Sequence, residues 1–337
     1  MQGKIAIEEH FAMEETLSSS EGPHSASEAW KELRSGLLDV QGKRLARMDK
    51  LGIEIAFLSL NAPVLQAMTN RKEAAELAIR ANDFLAEQVA KRPDRFRGFA
   101  ALAMQDPDVA AREFTRCVEE LGFVGALVNG FTERDVADSA VYYDLKEYWP
   151  FWEQVEKLDV SFYLHPRDLS CMKLVEGHPW LVTASWSFGV ETSTHAMKLM
   201  CSGLFDQYPK LKIILGHLGE GLPFNIWRAD HRIEKDPRGI TIKKKLNDYF
   251  RQNFYVTISG NFHTLSLIDT MLEIGADRIL FATDFPFETM EEAAEWFDAA
   301  SINEYDKLKI GRLNSMKLFG LEKALAAKAY KGVLASA

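Results

Sequence analysis

Short apolar runs rich in β-branched and aromatic residues recur along this chain, separated by longer stretches of helical period. The runs are KIAI at 4–7, IEIAFLSL at 53–60, FRGFAAL at 96–102, FVGALVN at 123–129, VSFYLHP at 160–166, KIILGH at 212–217, FYVTISG at 254–260 and RILFATD at 278–284. They are apolar at both parities, as strands are when both of their faces are buried. Residues 71–91 (RKEAAELAIRANDFLAEQVAK) place apolar side chains at every third or fourth position, the period of an amphipathic helix. Stretches 108–121, 148–158, 191–203, 222–234, 262–275 and 290–300 share it, and an extra C-terminal helix is expected over 304–319.

Eight strands alternating with helices predict a parallel sheet closed as a (β/α)8 TIM barrel of the α/β class. The rival is an open doubly wound sheet, but IAIEEHF carries no GxGxxG turn after the first strand. Stretches 11–40 and 167–190 exceed ordinary loop length. Both follow strands, so in a barrel both become long loops at the catalytic face. No internal repeat or low-complexity linker interrupts the pattern. One domain over 1–337 is expected, with 322–337 as a peripheral tail.

Composition narrows the partners. The 337 residues are 47% hydrophobic and 26% charged, as in a globular protein able to bury a core without staples. A formal net charge of −9 argues against nucleic acid, whose phosphates need a basic face. Cys117, Cys171 and Cys201 lack CxxC spacing, which predicts reduced thiols and a cytoplasmic location. The opening MQGKIAIEEHF has no long apolar run, so no signal peptide is expected, and no apolar stretch is long enough for a membrane span.

The chemically capable residues fall where the strands end. They are Glu8, Glu9 and His10, then Ser59 and Asn61, Asn129, His165, His217, Ser259 and Asp284. In a barrel these ends converge on one mouth. Glu8 and His10 are two apart on a strand and share a side, whereas Glu9 points toward the helices. With His165 and Asp284 they make a mixed nitrogen and oxygen set suited to Zn²⁺ or Mn²⁺. Without a cation, Glu8 and Asp284 would face each other as like charges. His217 is either a fifth ligand or an acid/base beside the metal. Glu220 either fixes its tautomer or caps the next helix. Arg228 either clamps a carboxylate or forms a surface ion pair. His24, His178, His195, His231 and His263 lie away from the strand ends and read as structural, with His178 in a long loop the one to watch. Phe285, Phe287, Trp186, Phe188 and Phe262 are candidate walls for a flat ring.

The motifs EEH, YLHP, ILGHLGEGLPF and FATDFPFE together resemble the amidohydrolase superfamily, in the branch related to aminocarboxymuconate-semialdehyde decarboxylase. GFVGALVNGF, FYLHPR, SGLFDQYPKL and IGADRILFATDFPFE are similar in particular to the γ-resorcylate (2,6-dihydroxybenzoate) decarboxylases. The resemblance runs from Met1 to about Leu321. It implies Glu8, His10, His165 and Asp284 as ligands of one divalent metal, Zn²⁺ or Mn²⁺. It implies His217 and Glu220 as a catalytic pair, with Asn129 and Arg228 near a small aromatic acid substrate, which Phe287 is a candidate to wall. A homodimer or homotetramer is implied as well. Binuclear relatives carry a carboxylated lysine at the end of the fourth strand, where this chain has VNGF, so a single metal is expected. Relatives acting on 2,3-dihydroxybenzoate or 5-carboxyvanillate have Ala at the place of His10. The segment SSSEGPHSASEAW departs from the γ-resorcylate pattern and leaves the aromatic pocket open.

The implied reaction is reversible, non-oxidative decarboxylation of an ortho-hydroxybenzoate, 2,6-dihydroxybenzoate giving resorcinol and CO₂. Asp284 is the candidate proton donor, with a second carboxylate nearby favouring its protonated form. The alternatives are decarboxylation of 2,3-dihydroxybenzoate or orsellinate, and mononuclear hydrolysis of a lactone or amide with Asp284 as base. A non-catalytic metal-binding scaffold is the remaining reading.

Overall fold

The computed structural model of the chain describes residues 1–20 and 27–322. Each apolar run forms a strand: β1 Lys4–Phe11, β2 Ile53–Leu60, β3 Phe96–Gly98, β4 Gly125–Asn129, β5 Ser161–His165, β6 Lys212–Leu215, β7 Phe254–Thr257 and β8 Ile279–Leu280. Neighbours pair in parallel from β1 to β3 and from β4 to β8. Isolated parallel bridges join Ala100 to Ala126 and Glu9 to Phe285. They connect β3 to β4 and β8 to β1, so the sheet closes into an eight-stranded barrel.

Burial on both faces explains the unbroken apolar runs. Ile5, Ile55, Phe57, Leu127, Tyr163 and Ile214 fill the interior. Ala6, Ala56, Val128, Phe162, Leu164 and Ile213 face the helix layer. β1 carries a register irregularity between Ala6 and Glu9. A bulge there shifts parity by one, so Glu8 and His10 point inward although Ile7 also does. The runs at 96–102 and 278–284 hold ladder pairing over only a few residues. Beyond it, Phe281 N–H donates to Ile310 O at 2.9 Å and Asp284 N–H to Glu8 O at 3.0 Å. The backbone leaves the ladder there, and its bond to Glu8 O ties Asp284 to β1.

Helices α1 Glu28–Leu38 and α2 Lys43–Leu51 precede β2. After it come α3 Arg71–Lys91, α4 Pro107–Glu119, α5 Trp149–Leu158, α6 Ser187–Cys201, α7 Leu222–Lys235, α8 Leu246–Asn253, α9 Thr264–Ile274 and α10 Met290–Ala299. α3 has the bounds its period predicts, because Asn70 Oδ1 accepts from Lys72 N–H at 3.0 Å and caps the start. The extra C-terminal helix is three consecutive pieces, Glu304–Leu308, a π turn Lys309–Leu313, and Asn314–Leu318. It seals the barrel floor, where Phe319 lies 4.5 Å from the Phe57 ring.

Stretch 11–40, expected as a loop, contains a 3-10 turn at Glu14–Ser20 and α1. α1 buries only Trp30 and Leu37 and owes its start to Ser27, which accepts from Trp30 N–H at 3.1 Å. That is too little apolar period to read. The antiparallel pair Thr132–Arg134 and Val136–Val141 and helix α8 are likewise additions to the sequence expectation. His24 and the tail beyond residue 322 lie outside the described residues. No helix among the described residues is long and apolar enough to cross a membrane.

The outer core is anchored by Trp152, fully buried, its Nε1–H donating to Tyr143 O at 2.8 Å and its ring edge-on to Phe162 at 4.8 Å. Trp152→Ala is expected to cost about 3–5 kcal/mol, the range for removing a buried large aromatic side chain. Urea unfolding followed by far-ultraviolet circular dichroism measures it, and a loss below about 1 kcal/mol would contradict this packing.

Candidate metal centre

Glu8 and His10 leave β1, His165 leaves β5, and Asp284 follows β8. One donor atom from each of these four buried residues lies within 4.8 Å of all the others. His10 Nε2 is 3.1 Å from Asp284 Oδ1, and His165 Nε2 is 3.4 Å from Glu8 Oε1. Glu8 Oε1, His10 Nε2 and Asp284 Oδ1 are buried and make no aligned hydrogen bond. Such orphaned atoms are costly unless something charged sits among them.

The other atoms of these side chains are committed elsewhere, which fixes what faces the centre. Glu8 Oε2 accepts from the hydroxyls of Tyr163, Thr257 and Ser259, leaving Oε1 free. His165 Nδ1 lies 3.0 Å from Pro166 O, so it carries the proton and presents the Nε2 lone pair inward. His10 Nδ1 lies 3.3 Å from Ser59 Oγ. Two carboxylate oxygens and two neutral imidazole nitrogens balance a divalent cation in charge and suit Zn²⁺ or Mn²⁺. The residues present therefore fit such an ion.

Glu9 points away from the centre, as its parity predicts. Its carboxylate accepts from Thr283 N–H at 3.0 Å and from the Thr283 hydroxyl at 2.7 Å. These bonds hold the residue immediately before Asp284, which has a left-handed φ of 65°. Such a conformation is uncommon for a non-glycine residue and persists only where neighbours enforce it.

His217 stands beside the four. Its Nδ1 bonds Glu220 Oε1 at 2.7 Å, and its Nε2 is 3.6 Å from Asp284 Oδ2 and 4.0 Å from Glu8 Oε1. Glu220 therefore holds the His217 tautomer and does not act as a mere helix cap. The backbone at His217, Leu218 and Glu220 is left-handed throughout. Gly260 makes room for the ring, since a Cβ there would come within 2.9 Å of His217 Cδ2.

The electrostatics separate these groups. Burial alone would lower the pKa of His217, but Glu220, Asp284 and Glu8 outweigh it and hold the imidazolium well above the usual histidine range. His165 is driven well below that range by burial and by His10. Burial raises Glu8. Asp284 would also be raised by burial, yet the adjacent imidazoles of His10 and His217 prevail and hold it below the usual carboxylate range. The expectation that a neighbouring carboxylate favours protonated Asp284 thus meets a stronger opposing pair of imidazoles.

The other sequence candidates divide. Asn129 pairs in register with His165, and its Oδ1 is buried without a partner. Phe287 stands edge-on to His10 at 5.3 Å. Phe188 and Ala184, with Gly260, Asn261 and Glu288, wall a cavity of about 170 Å³ against His217, Glu220 and Asp284. Arg228 is not brought in. It lies exposed on α7 and forms neither the carboxylate clamp nor a surface ion pair among the described residues. Phe285 is buried beneath the guanidinium of Arg44, and Phe262 packs on Trp296. Trp186 is 58% exposed. His195 is a buried core residue whose Nε2 accepts from Tyr143 N–H at 3.2 Å, and burial lowers it to about 3. His178, His231 and His263 pair with Trp180, Trp227 and Ser266 respectively, and none touches the centre. Tyr163, Thr257 and Glu288 are additions that strand-end reasoning misses.

A closed (β/α)8 barrel with a mixed nitrogen and oxygen cation site at the carboxyl ends of its strands defines the class. The amidohydrolase family matches residues 37–321, and the chain belongs to it. It is 58% identical to the gamma-resorcylate decarboxylase of Polaromonas sp. (strain JS666), over 96% of this chain and 100% of that protein. A crystal structure of a dihydroxybenzoic acid decarboxylase from Polaromonas sp. JS666, with bound manganese and the inhibitor 2-nitroresorcinol, superposes with a TM-score of 0.91. It is 57% identical and covers 95% of this chain and 98% of that one. A 2,6-dihydroxybenzoate decarboxylase complexed with 2,6-dihydroxybenzoate gives a TM-score of 0.93 at 56% identity, covering 96% of this chain and all of that one.

Proposed function

We propose that this chain is a metal-dependent decarboxylase of ortho-hydroxybenzoates, converting 2,6-dihydroxybenzoate to resorcinol and CO₂. The observation that carries it is the set of inward-facing donor atoms of Glu8, His10, His165 and Asp284, with the His217–Glu220 pair alongside. It is supported by relatives at 56–58% identity that are gamma-resorcylate decarboxylases. Glu8, His10, His165 and Asp284 would hold one divalent ion, Mn²⁺ as in the Polaromonas structure or Zn²⁺. Bound there, it supplies Lewis acidity for a carboxylate and its ortho hydroxyl.

The chain's own groups handle the proton. Hydroxyls ortho to the carboxyl-bearing carbon enrich it in electrons, so it accepts a proton from Asp284 and the ring loses aromaticity. The bond to the carboxylate then breaks, its electron pair restores the ring, and CO₂ departs. An incoming substrate anion raises the proton affinity of Asp284. His217, 3.6 Å away, supplies the proton, while Glu220 keeps Nδ1 and the ring orientation fixed. Phe287 and Phe188 border the space for the ring, and Asn129 offers an unpaired amide oxygen beside His165. A homodimer or homotetramer belongs to the same reading, since Phe224, Trp227, Leu265 and Leu272 are 65–83% exposed.

The deciding experiment loads the protein with Mn²⁺ or Zn²⁺ and offers ortho-hydroxybenzoates, lactones and amides. CO₂ release from 2,6-dihydroxybenzoate with appearance of resorcinol is expected. Cleavage of a lactone or amide with no CO₂ from any acid would replace this reading with the hydrolase.

A further inference from the structure

Glu288 is the carboxylate beside the centre that the mechanism above leaves idle. It sits half-buried on the loop after β8, and its N–H donates to Asp284 O at 3.1 Å, which brings its stem close to that residue. It lines the cavity of about 170 Å³ shared with His217 and Asp284. Its carboxylate makes no hydrogen bond or ion pair among the described residues. Glu220, His217 and Asn261 in that cavity are engaged with one another. Glu220 holds His217, and Asn261 Nδ2 donates to His217 O at 3.4 Å.

An ionised carboxylate accepts hydrogen bonds and repels anions. A benzoate's own carboxylate is therefore the wrong partner for Glu288. A hydroxybenzoate offers one other strong donor, a phenolic hydroxyl. If one ortho hydroxyl lies with the substrate carboxylate at the cation donors, a second ortho hydroxyl remains free on the far side. A para hydroxyl projects away from the carbon that Asp284 protonates. Glu288, adjacent to Asp284, is placed for the ortho position.

We infer that Glu288 is a specificity-determining residue that accepts the second ortho hydroxyl of the substrate, selecting 2,6-dihydroxybenzoates over benzoates with one ortho hydroxyl. The inference rests on the decarboxylase reading for its substrate class. Drawing that hydroxyl proton toward Glu288 also pushes electron density onto the ring, which assists protonation of the carboxyl-bearing carbon.

The test compares manganese-loaded wild type, Glu288→Leu and Glu288→Gln on 2,6-dihydroxybenzoate, 2,4-dihydroxybenzoate and 2-hydroxybenzoate. Affinity is measured by titration calorimetry and kcat/KM by CO₂ release, with metal content and circular dichroism checking each variant. Glu288→Leu is expected to lose about 10–100-fold on 2,6-dihydroxybenzoate, the span for a hydrogen bond to a charged group. It should lose nothing on the other two acids, and Glu288→Gln should recover part of the loss. An equal fall on all three acids, a loss confined to 2,4-dihydroxybenzoate, or no change would overturn the inference. If wild type releases no CO₂ but binds 2,6-dihydroxybenzoate with this Glu288 dependence, the decarboxylase reading fails and the Glu288 assignment stands.

Discussion

Asp284→Asn is expected to lower kcat on 2,6-dihydroxybenzoate by roughly 10²–10⁴-fold, the usual contribution of a positioned general acid. Asparagine keeps an oxygen where Oδ1 approaches His10 but cannot give up a proton. The substitution should therefore weaken metal retention less than it weakens turnover. Saturating Mn²⁺ separates the two effects, because a defect of metal occupancy is restored by excess ion and a missing acid is not. His217→Asn should act in the same direction, since His217 Nε2 is 3.6 Å from Asp284 Oδ2 and reloads it. With metal stoichiometry verified, a fully active Asp284→Asn enzyme would remove Asp284 from the proton's path. The readouts are steady-state CO₂ release and metal analysis on the same preparation.

How much of this was legible beforehand depends on where each residue sits. Glu8, His10, His165 and Asp284 stand at strand ends, and a closed barrel brings strand ends together. Counting strands and reading their last polar residue was therefore enough. Tyr163, Thr257 and Ser259 hold Glu8 from below, and the first two were overlooked because they lie inside apolar runs. A parity signal existed. Tyr163 is two residues before His165 and Thr257 two before Ser259, so each faces the same interior as its strand-end neighbour. The bulge in β1 had no such signal, since nothing in KIAIEEHF marks an extra residue. α1 was illegible for a related reason. Its start depends on one serine cap, and its buried residues Trp30 and Leu37 are seven apart.

The placement of Arg228 within this chain could be read from helical period. The buried positions of α7 are Leu222, Pro223, Ile226 and Asp230. Residue 228 falls between them on the opposite face, so helical phase already directed it outward. Asp230 is the polar residue on the buried face, and it accepts from Leu246 N–H at 2.7 Å to start α8. Like-charge repulsion at Asp284 is readable from composition, but the two imidazoles that outweigh it matter only at distances the folded chain sets.

Removing the metal by chelation is expected to abolish turnover while leaving the fold standing. The interior cluster and the helix layer do not run through the four donors, so circular dichroism should hardly change. Glu8→Gln tests the same centre from within the chain. Glu8 Oε2 is bound by three hydroxyls, which keeps Oε1 toward the cation donors. Glutamine preserves the shape but removes one of two negative charges opposing a divalent ion. Burial raises the pKa of Glu8. Metal binding must then expel a proton, and affinity should rise with pH until Glu8 is fully ionised. In Glu8→Gln that pH dependence should flatten, and metal retained after dialysis should fall about tenfold or more, as for loss of a charged ligand contact. Plasma emission spectrometry across a pH series measures both. Retention equal to wild type with unchanged pH dependence would mean that the cation is held by residues other than Glu8.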